Sequence, residues 1–109
     1  MARKIKNKNE FRYNNTTKHP NYIFEEFGNK YHSVGITHKD KTFGRNNMPL
    51  SENPDSRKKD KAYIRNGIIT DKKKNYSKKP INNMSFDAED FPKVKSKIRN
   101  FKKRQKKSK

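Results

Sequence analysis

The chain has no cysteine and no tryptophan, and acids are scarce, with eleven Asp and Glu against thirty Lys and Arg. Without cysteine there is no disulfide, no thiolate zinc site and no thiol nucleophile, so stability rests on packing alone. Long apolar runs are missing too. The longest, Tyr22-Ile23-Phe24 and Ile68-Ile69, fall far short of the ~20 residues that span a bilayer, and the basic stretch Met1 to Asn9 has no apolar region behind it. No membrane partner and no cleavable leader are expected, and a cytoplasmic location is. Hydrophobic residues make up only 27% of the chain, near the composition of disordered proteins. Aromatics at 11% act against this, since each Phe or Tyr buries ~150 to 250 Å². The expectation is one small ordered domain over residues 19–101, between a flexible basic arm (1–18) and a basic tail (102–109).

What the chain does have is positive charge, unevenly laid out. Residues 1–18 carry +5, 19–52 are neutral, 53–79 carry +7, 80–92 carry −3 and 93–109 carry +10, for a net +19. A field of that size gathers polyanions, and nucleic-acid phosphate is the commonest polyanion in a cell. A low-GC genome enriches Lys, Asn and Ile, but it enriches Glu alike and so does not produce this imbalance.

The clearest strand signal follows His19-Pro20. Tyr22 to Phe27 and Tyr31 to Thr37 are aromatic and β-branched runs separated by Gly28-Asn29-Lys30, which predicts a hairpin over residues 22–37. In its second strand Tyr31, Ser33, Gly35 and Thr37 point one way and His32, Val34, Ile36 and His38 the other. Gly35 inside a strand marks a bulge, a close approach or a steric fit. Lys39 to Asp60, rich in Asn, Asp, Ser, Gly and Pro, reads as a long loop anchored through Phe43, Met48 and Leu50. Strand character resumes over residues 62–70, where Gly67 can interrupt it, and Asp71 to Pro80 is a basic turn or loop. Phe91, Val94, Ile98 and Phe101 recur at three or four residue intervals, the stripe of an amphipathic helix. Asp90 suits its N-cap and Pro92 its first turn. Past Phe101 the stripe gives way to a self-repelling cationic run. The fold expected is α+β, a small antiparallel sheet with a C-terminal amphipathic helix and disordered basic ends.

Four basic clusters stand out. Arg3, Lys4, Lys6 and Lys8 form the first, and Arg57, Lys58, Lys59 and Lys61 the second. Lys72, Lys73, Lys74, Lys78 and Lys79 make the third, and the run from Lys93, with Lys95, Arg99, Lys102, Lys103 and Arg104, the fourth. Neutralising ~6 to 10 phosphates makes binding steeply salt dependent. Lysine outnumbers arginine, so bidentate reading of guanine is not indicated and phosphate contact is. Tyr22, Tyr31, Tyr63 and Tyr76 are either core or a stacking platform for unpaired bases, which favours RNA over DNA. His32 and His38, six residues apart on one strand face, cannot chelate jointly without a bend, and no metal or other cofactor is expected.

Cleaving RNA without metal needs a base for the 2′-OH, an acid for the leaving group and cations for the developing charge. His38, beside Thr37 and near Tyr63 or Arg65 on a neighbouring strand, is the set this chain offers, with His19 as a second histidine. His19-Pro20, Val34-Gly35-Ile36-Thr37-His38, Asn53-Pro54-Asp55 and Tyr63 together resemble small mobile-element and phage proteins of the barnase, EndoU, colicin and RelE nuclease class. The resemblance covers about residues 19–101 and implies a compact antiparallel sheet with packed helices and metal-independent RNA cleavage. That class typically has a helical segment before its sheet, where this chain has a polar stretch. The first expectation is a basic protein binding RNA or a ribonucleoprotein through phosphate contacts. A toxin-like ribonuclease is the alternative. Another is an interaction protein, docking on an acidic protein surface or blocking a host nucleic-acid-handling complex.

Overall fold

Aromatic and β-branched residues concentrate between His19 and Thr37, and there the chain forms a long hairpin. In the computed structural model, which describes residues 5–107, strands β2 (His19–Phe27) and β3 (Lys30–Thr37) run antiparallel about the turn Gly28-Asn29. Gly28 sits at φ 60°, the left-handed conformation such a turn demands. Along the outer edge of β2 lies β1 (Lys6–Asn14), from Lys6 opposite Glu26 to Asn14 opposite His19. A separate short hairpin pairs β4 (Lys41–Thr42) with β5 (Arg45–Asn46). Beyond it, β6 (Met48–Pro49) pairs with β7 (Tyr63–Ile64), which pairs in turn with β3. The other half of β3 takes β8 (Ile69–Lys72), followed by one 3-10 turn at Lys73–Asn75 and the single helix α1 (Asp90–Lys107). The fold is α+β with an antiparallel sheet, as expected.

The sheet is buried on both faces. Phe11, Tyr22, Phe24, Val34, Ile36 and Ile64 pack with Leu50, Ala62 and the helix residues Val94, Ile98 and Phe101, and Phe91 joins them from the same helical stripe. The opposite face carries a smaller cluster of Ile23, Tyr31 and Tyr76. Few residues suffice because large aromatic rings fill much of the core: Phe86 lies 5.0 Å from Phe11 and 4.8 Å from Tyr22, ring centre to ring centre. No helix among the described residues is long and apolar enough to cross a membrane.

Four expectations are corrected. Residues 6–14 of the supposed arm are a full strand, because Phe11 is buried against Tyr22 and the ladder with β2 satisfies the backbone around it. Arg3 and Lys4 lie outside the described residues. The single strand over 62–70 is two. Ile64 pairs with Ile36 but Ile69 with Ser33, so two extra residues bulge out around Gly67, which takes φ 100°. The tail is helical through Lys107, with residues 108–109 outside the described range. Asp90 does not cap from outside the helix but is its buried first residue. Its carboxylate accepts the N–H groups of Ser51 at 2.9 Å and Glu52 at 3.1 Å, tying the long loop to the helix start, while Asp87 accepts from the Glu89 N–H.

Candidate nucleic-acid interface

His19 opens β2 and Thr37 closes β3, so antiparallel pairing puts both at the end of the hairpin away from its turn. Tyr63 pairs with Thr37, and the Arg65 N–H donates to the Gly35 carbonyl at 2.8 Å. A Cβ on Gly35 would sit 3.5 Å from the Arg65 Cβ and 3.6 Å from the Asn21 Oδ1, ordinary contact distances. Arg65 therefore crosses Gly35 on the face away from the helix. His19, Thr37 and Arg65 line one cleft of about 370 Å³ with Lys39, Lys41, Thr42 and Phe43. His38 and Tyr63 are not among its walls, but His38 is near enough to act on His19. Burial first, then the charges of Arg65, His38 and Lys39, hold the His19 imidazole below its ordinary pKa, leaving it mostly neutral at pH 7.

Asn47 holds this corner together. Buried behind the β4–β5 hairpin, it donates from its backbone N–H to the Asp40 carbonyl at 2.8 Å and from its amide to the Lys39 carbonyl at 3.0 Å and Thr42 Oγ1 at 2.8 Å. Its Oδ1 accepts the Asn66 N–H at 3.0 Å, joining the hairpin to the bulge that carries Arg65. The hairpin tip is strained. Phe43 at φ 52° and Gly44 at φ 77° form a two-residue turn with both central residues left-handed, a place where Asn-Gly is the usual choice. A side chain such as Phe costs about 1 to 2 kcal/mol in that conformation. Phe43 is nevertheless 91% exposed, so it is not the loop anchor expected; Leu50, 3% exposed, and Met48 pack on the core instead. The Arg65 guanidinium stands 5.7 Å from the Phe43 ring centre.

Among the described residues, two buried side-chain oxygens have no hydrogen-bond partner, Thr17 Oγ1 and Asn21 Oδ1. Both border this corner. Thr17 lines an adjoining cleft with Phe43 and Arg65, and Asn21 lies beneath Gly35. Unsatisfied buried oxygens are uncommon in native folds and here coincide with a strained turn and a cationic cleft.

The other basic clusters are spread over the surface. Arg57 forks onto the Asp55 carboxylate at 3.1 Å by both Nε and Nη2, while Lys58, Lys59 and Lys61 stand exposed around a cleft that also holds Glu52 and Asp60. Lys73 is paired with Glu26 at 3.2 Å, and Lys72, Lys74, Lys78 and Lys79 are exposed. Lys95, Arg99 and Lys102 line a groove between helix and sheet, where Lys102 is paired with Glu25; Lys103 and Arg104 face solvent. Lys39, Lys41, Arg45 and Arg65, like most of the exposed lysines of these clusters, have no carboxylate within ion-pair distance among the described residues; what sets them apart is that they line two adjoining clefts around one exposed aromatic ring, Phe43. Of the two readings of the tyrosines, core holds for three. Tyr22, Tyr31 and Tyr76 are 0%, 7% and 3% exposed, and burial pushes the Tyr22 phenol up to about 12. His32 sits elsewhere, its Nδ1 2.9 Å from Thr70 Oγ1.

Lys39, Lys41, Phe43 and Arg45 were not foreseen as site residues. Their signals are the run Thr37-His38-Lys39, which carries charge directly off a strand end, and the dipeptide Phe43-Gly44 flanked by cations. Compared with protein-family models, curated proteins and solved structures, the chain matches none of them.

Proposed function

We propose that this protein binds nucleic acid, RNA ahead of DNA, by seating backbone phosphates in the cleft at the open end of the β2–β3 hairpin. One observation carries the reading: Lys39, Lys41 and Arg65 line that cleft and Arg45 the one adjoining it, all four without carboxylate partners among the described residues. Clustered cations left unneutralised by the fold are what an incoming phosphate displaces counterions from. Four such contacts on a single strand give a log–log salt slope of about −3, or roughly 50-fold weaker binding between 50 and 200 mM salt. Fluorescence anisotropy of a labelled RNA oligonucleotide measures this, and a flat salt response rejects the reading.

A second reading is favoured by the state of His19. A neutral imidazole sharing a cleft with Arg65 is suited to take the 2′-OH proton of RNA. The freed oxygen would attack the adjacent phosphorus, His38 would protonate the departing 5′-oxygen, and Arg65 with Lys39 would stabilise the charge that builds on phosphate, leaving a 2′,3′-cyclic end. The likeness of Val34 to His38 to a class of metal-independent nucleases bears on the same chemistry. Incubation of RNA in chelator tests it. Cleavage should vanish in both His19→Ala and His38→Ala, and intact RNA from the folded wild-type protein rejects this reading while leaving the first.

A further inference from the structure

Resting on the nucleic-acid reading above, we infer that Phe43 is a stacking finger for an unpaired base, which makes single-stranded rather than duplex nucleic acid the substrate class. Three observations converge on this residue. It is the most exposed large hydrophobic side chain among the described residues, at 91%. Its backbone is left-handed at φ 52°, in a turn where Asn would be relaxed, so the aromatic side chain is kept against the preference of the local fold. It also stands between two adjoining clefts among cations, with Lys41 and Arg65 lining one, Arg45 and Arg65 the other, and the Arg65 guanidinium 5.7 Å from the ring.

That combination has a specific chemical fit. The cations hold phosphates on either side of the ring while the ring offers an apolar face at the height of the bases between them. A base inside a duplex is already stacked on both faces and cannot be covered. An unpaired base can be, and aromatic stacking tolerates any base identity. The stacking contact therefore selects for strand state without itself selecting for sequence. Arg65 contributes twice, as a phosphate cation and as a partner to the ring.

The chain has no tryptophan, so Phe43→Trp places a single indole at the tip. A single-stranded oligo(U) RNA should quench its fluorescence, and a blunt RNA duplex of equal length should not. Phe43→Asn separates stacking from folding. Asn-Gly suits the turn, so this variant should melt several degrees higher than wild type while binding the single strand about tenfold more weakly and the duplex unchanged. If Phe43→Asn binds the single strand as wild type does, the stacking role is overturned and the phosphate reading stands. Equal loss toward single strand and duplex also overturns it, since the defect then lies in phosphate contact. If wild type binds neither RNA, both readings fall, and an exposed Phe in a cationic rim points instead to a pocket on an acidic protein.

Discussion

The two ends of the β2–β3 hairpin both carry cations, but among the described residues acids pair with them at only one end. At the turn end, Lys8 and Lys73 meet Glu26 at 3.8 and 3.2 Å and Lys102 meets Glu25, while Lys6, Lys30 and Lys72 have no ion pair among the described residues; farther along β1, Arg12 meets Glu10. Arg12 and Lys73 are also held against the Tyr31 ring, at 5.2 and 5.3 Å. Hydrogen bonding from Lys73 leads the effects that hold Glu26 below its ordinary pKa, so it stays charged. At the open end, Lys39, Lys41, Arg45 and Arg65 have no such partners among the described residues, and Asp40, the one acid between residues 38 and 47, makes no ion pair. At the turn end part of the positive charge is tied to acids; at the open end none of these four cations is. The difference shows that a count of lysines locates no binding site until the acids are counted with them.

The comparison breaks most visibly under matched charge removal. Replacing Lys39, Lys41 and Arg65 with Ala should weaken single-stranded RNA binding by roughly 100-fold at low salt and flatten the salt slope by about 2, as three phosphate contacts are lost. Replacing Lys8, Lys73 and Lys102 with Ala changes net charge by the same amount. It should alter affinity only about threefold, through the weaker long-range field, and lower stability slightly, since partly exposed pairs contribute at most ~1 kcal/mol each. Anisotropy and thermal melts on the two triple variants decide it. Equal losses of affinity from both ends would remove the distinction.

Much of this contrast was hidden in the sequence, for physical reasons that differ by element. The helix stripe from Phe91 to Phe101 was legible because four apolar residues recur at the helical period, and the hairpin because its strands are dense in aromatic and β-branched residues around a Gly-Asn turn. β1 was not legible. Of its nine residues only Phe11 and Asn14 are buried, and its cations, held by acids on the same and the neighbouring strand, look like a solvated arm. The β4–β5 ladder, two residues a side, is too short to show a period, and its pin, Asn47, is one Asn among many. Of the residues named from the sequence pattern at strand ends, His19, Thr37 and Arg65 line the candidate cleft, while His38 and Tyr63 lie beside it. Phe43 could not be named, since an apolar residue in a loop suggests an anchor and its positive φ is fixed only by the turn that Asn47 holds.

The next largest effect is on pH. The His19 pKa is depressed in the folded state, so below the unfolded value of ~6.5 the unfolded chain holds a proton that the folded one lacks. Stability from this group is present above that value and is lost as pH falls through the folded pKa. A bound phosphate opposes the repulsion from Arg65, His38 and Lys39 and favours the imidazolium. RNA affinity should therefore rise about three- to tenfold between pH 7.5 and 5.5, and His19→Gln should flatten most of that rise. An unchanged pH profile in His19→Gln would show that no phosphate sits beside this imidazole.

The smallest effect is the most diagnostic of the paired end. Glu26→Gln removes the carboxylate shared by Lys8 and Lys73 while keeping the side-chain shape, so both ammonium groups lose their charged partner at that position. If their ion pairs keep Lys8 and Lys73 from phosphate, the variant should gain about two- to fourfold in affinity for RNA, with a salt slope steeper by about 1, and should gain equally for single strand and duplex. The open end should keep its preference for unpaired strands throughout. A gain confined to single strands would mean that the turn end presents bases with something besides charge, and the division between a structural and a binding end of the hairpin would have to be redrawn.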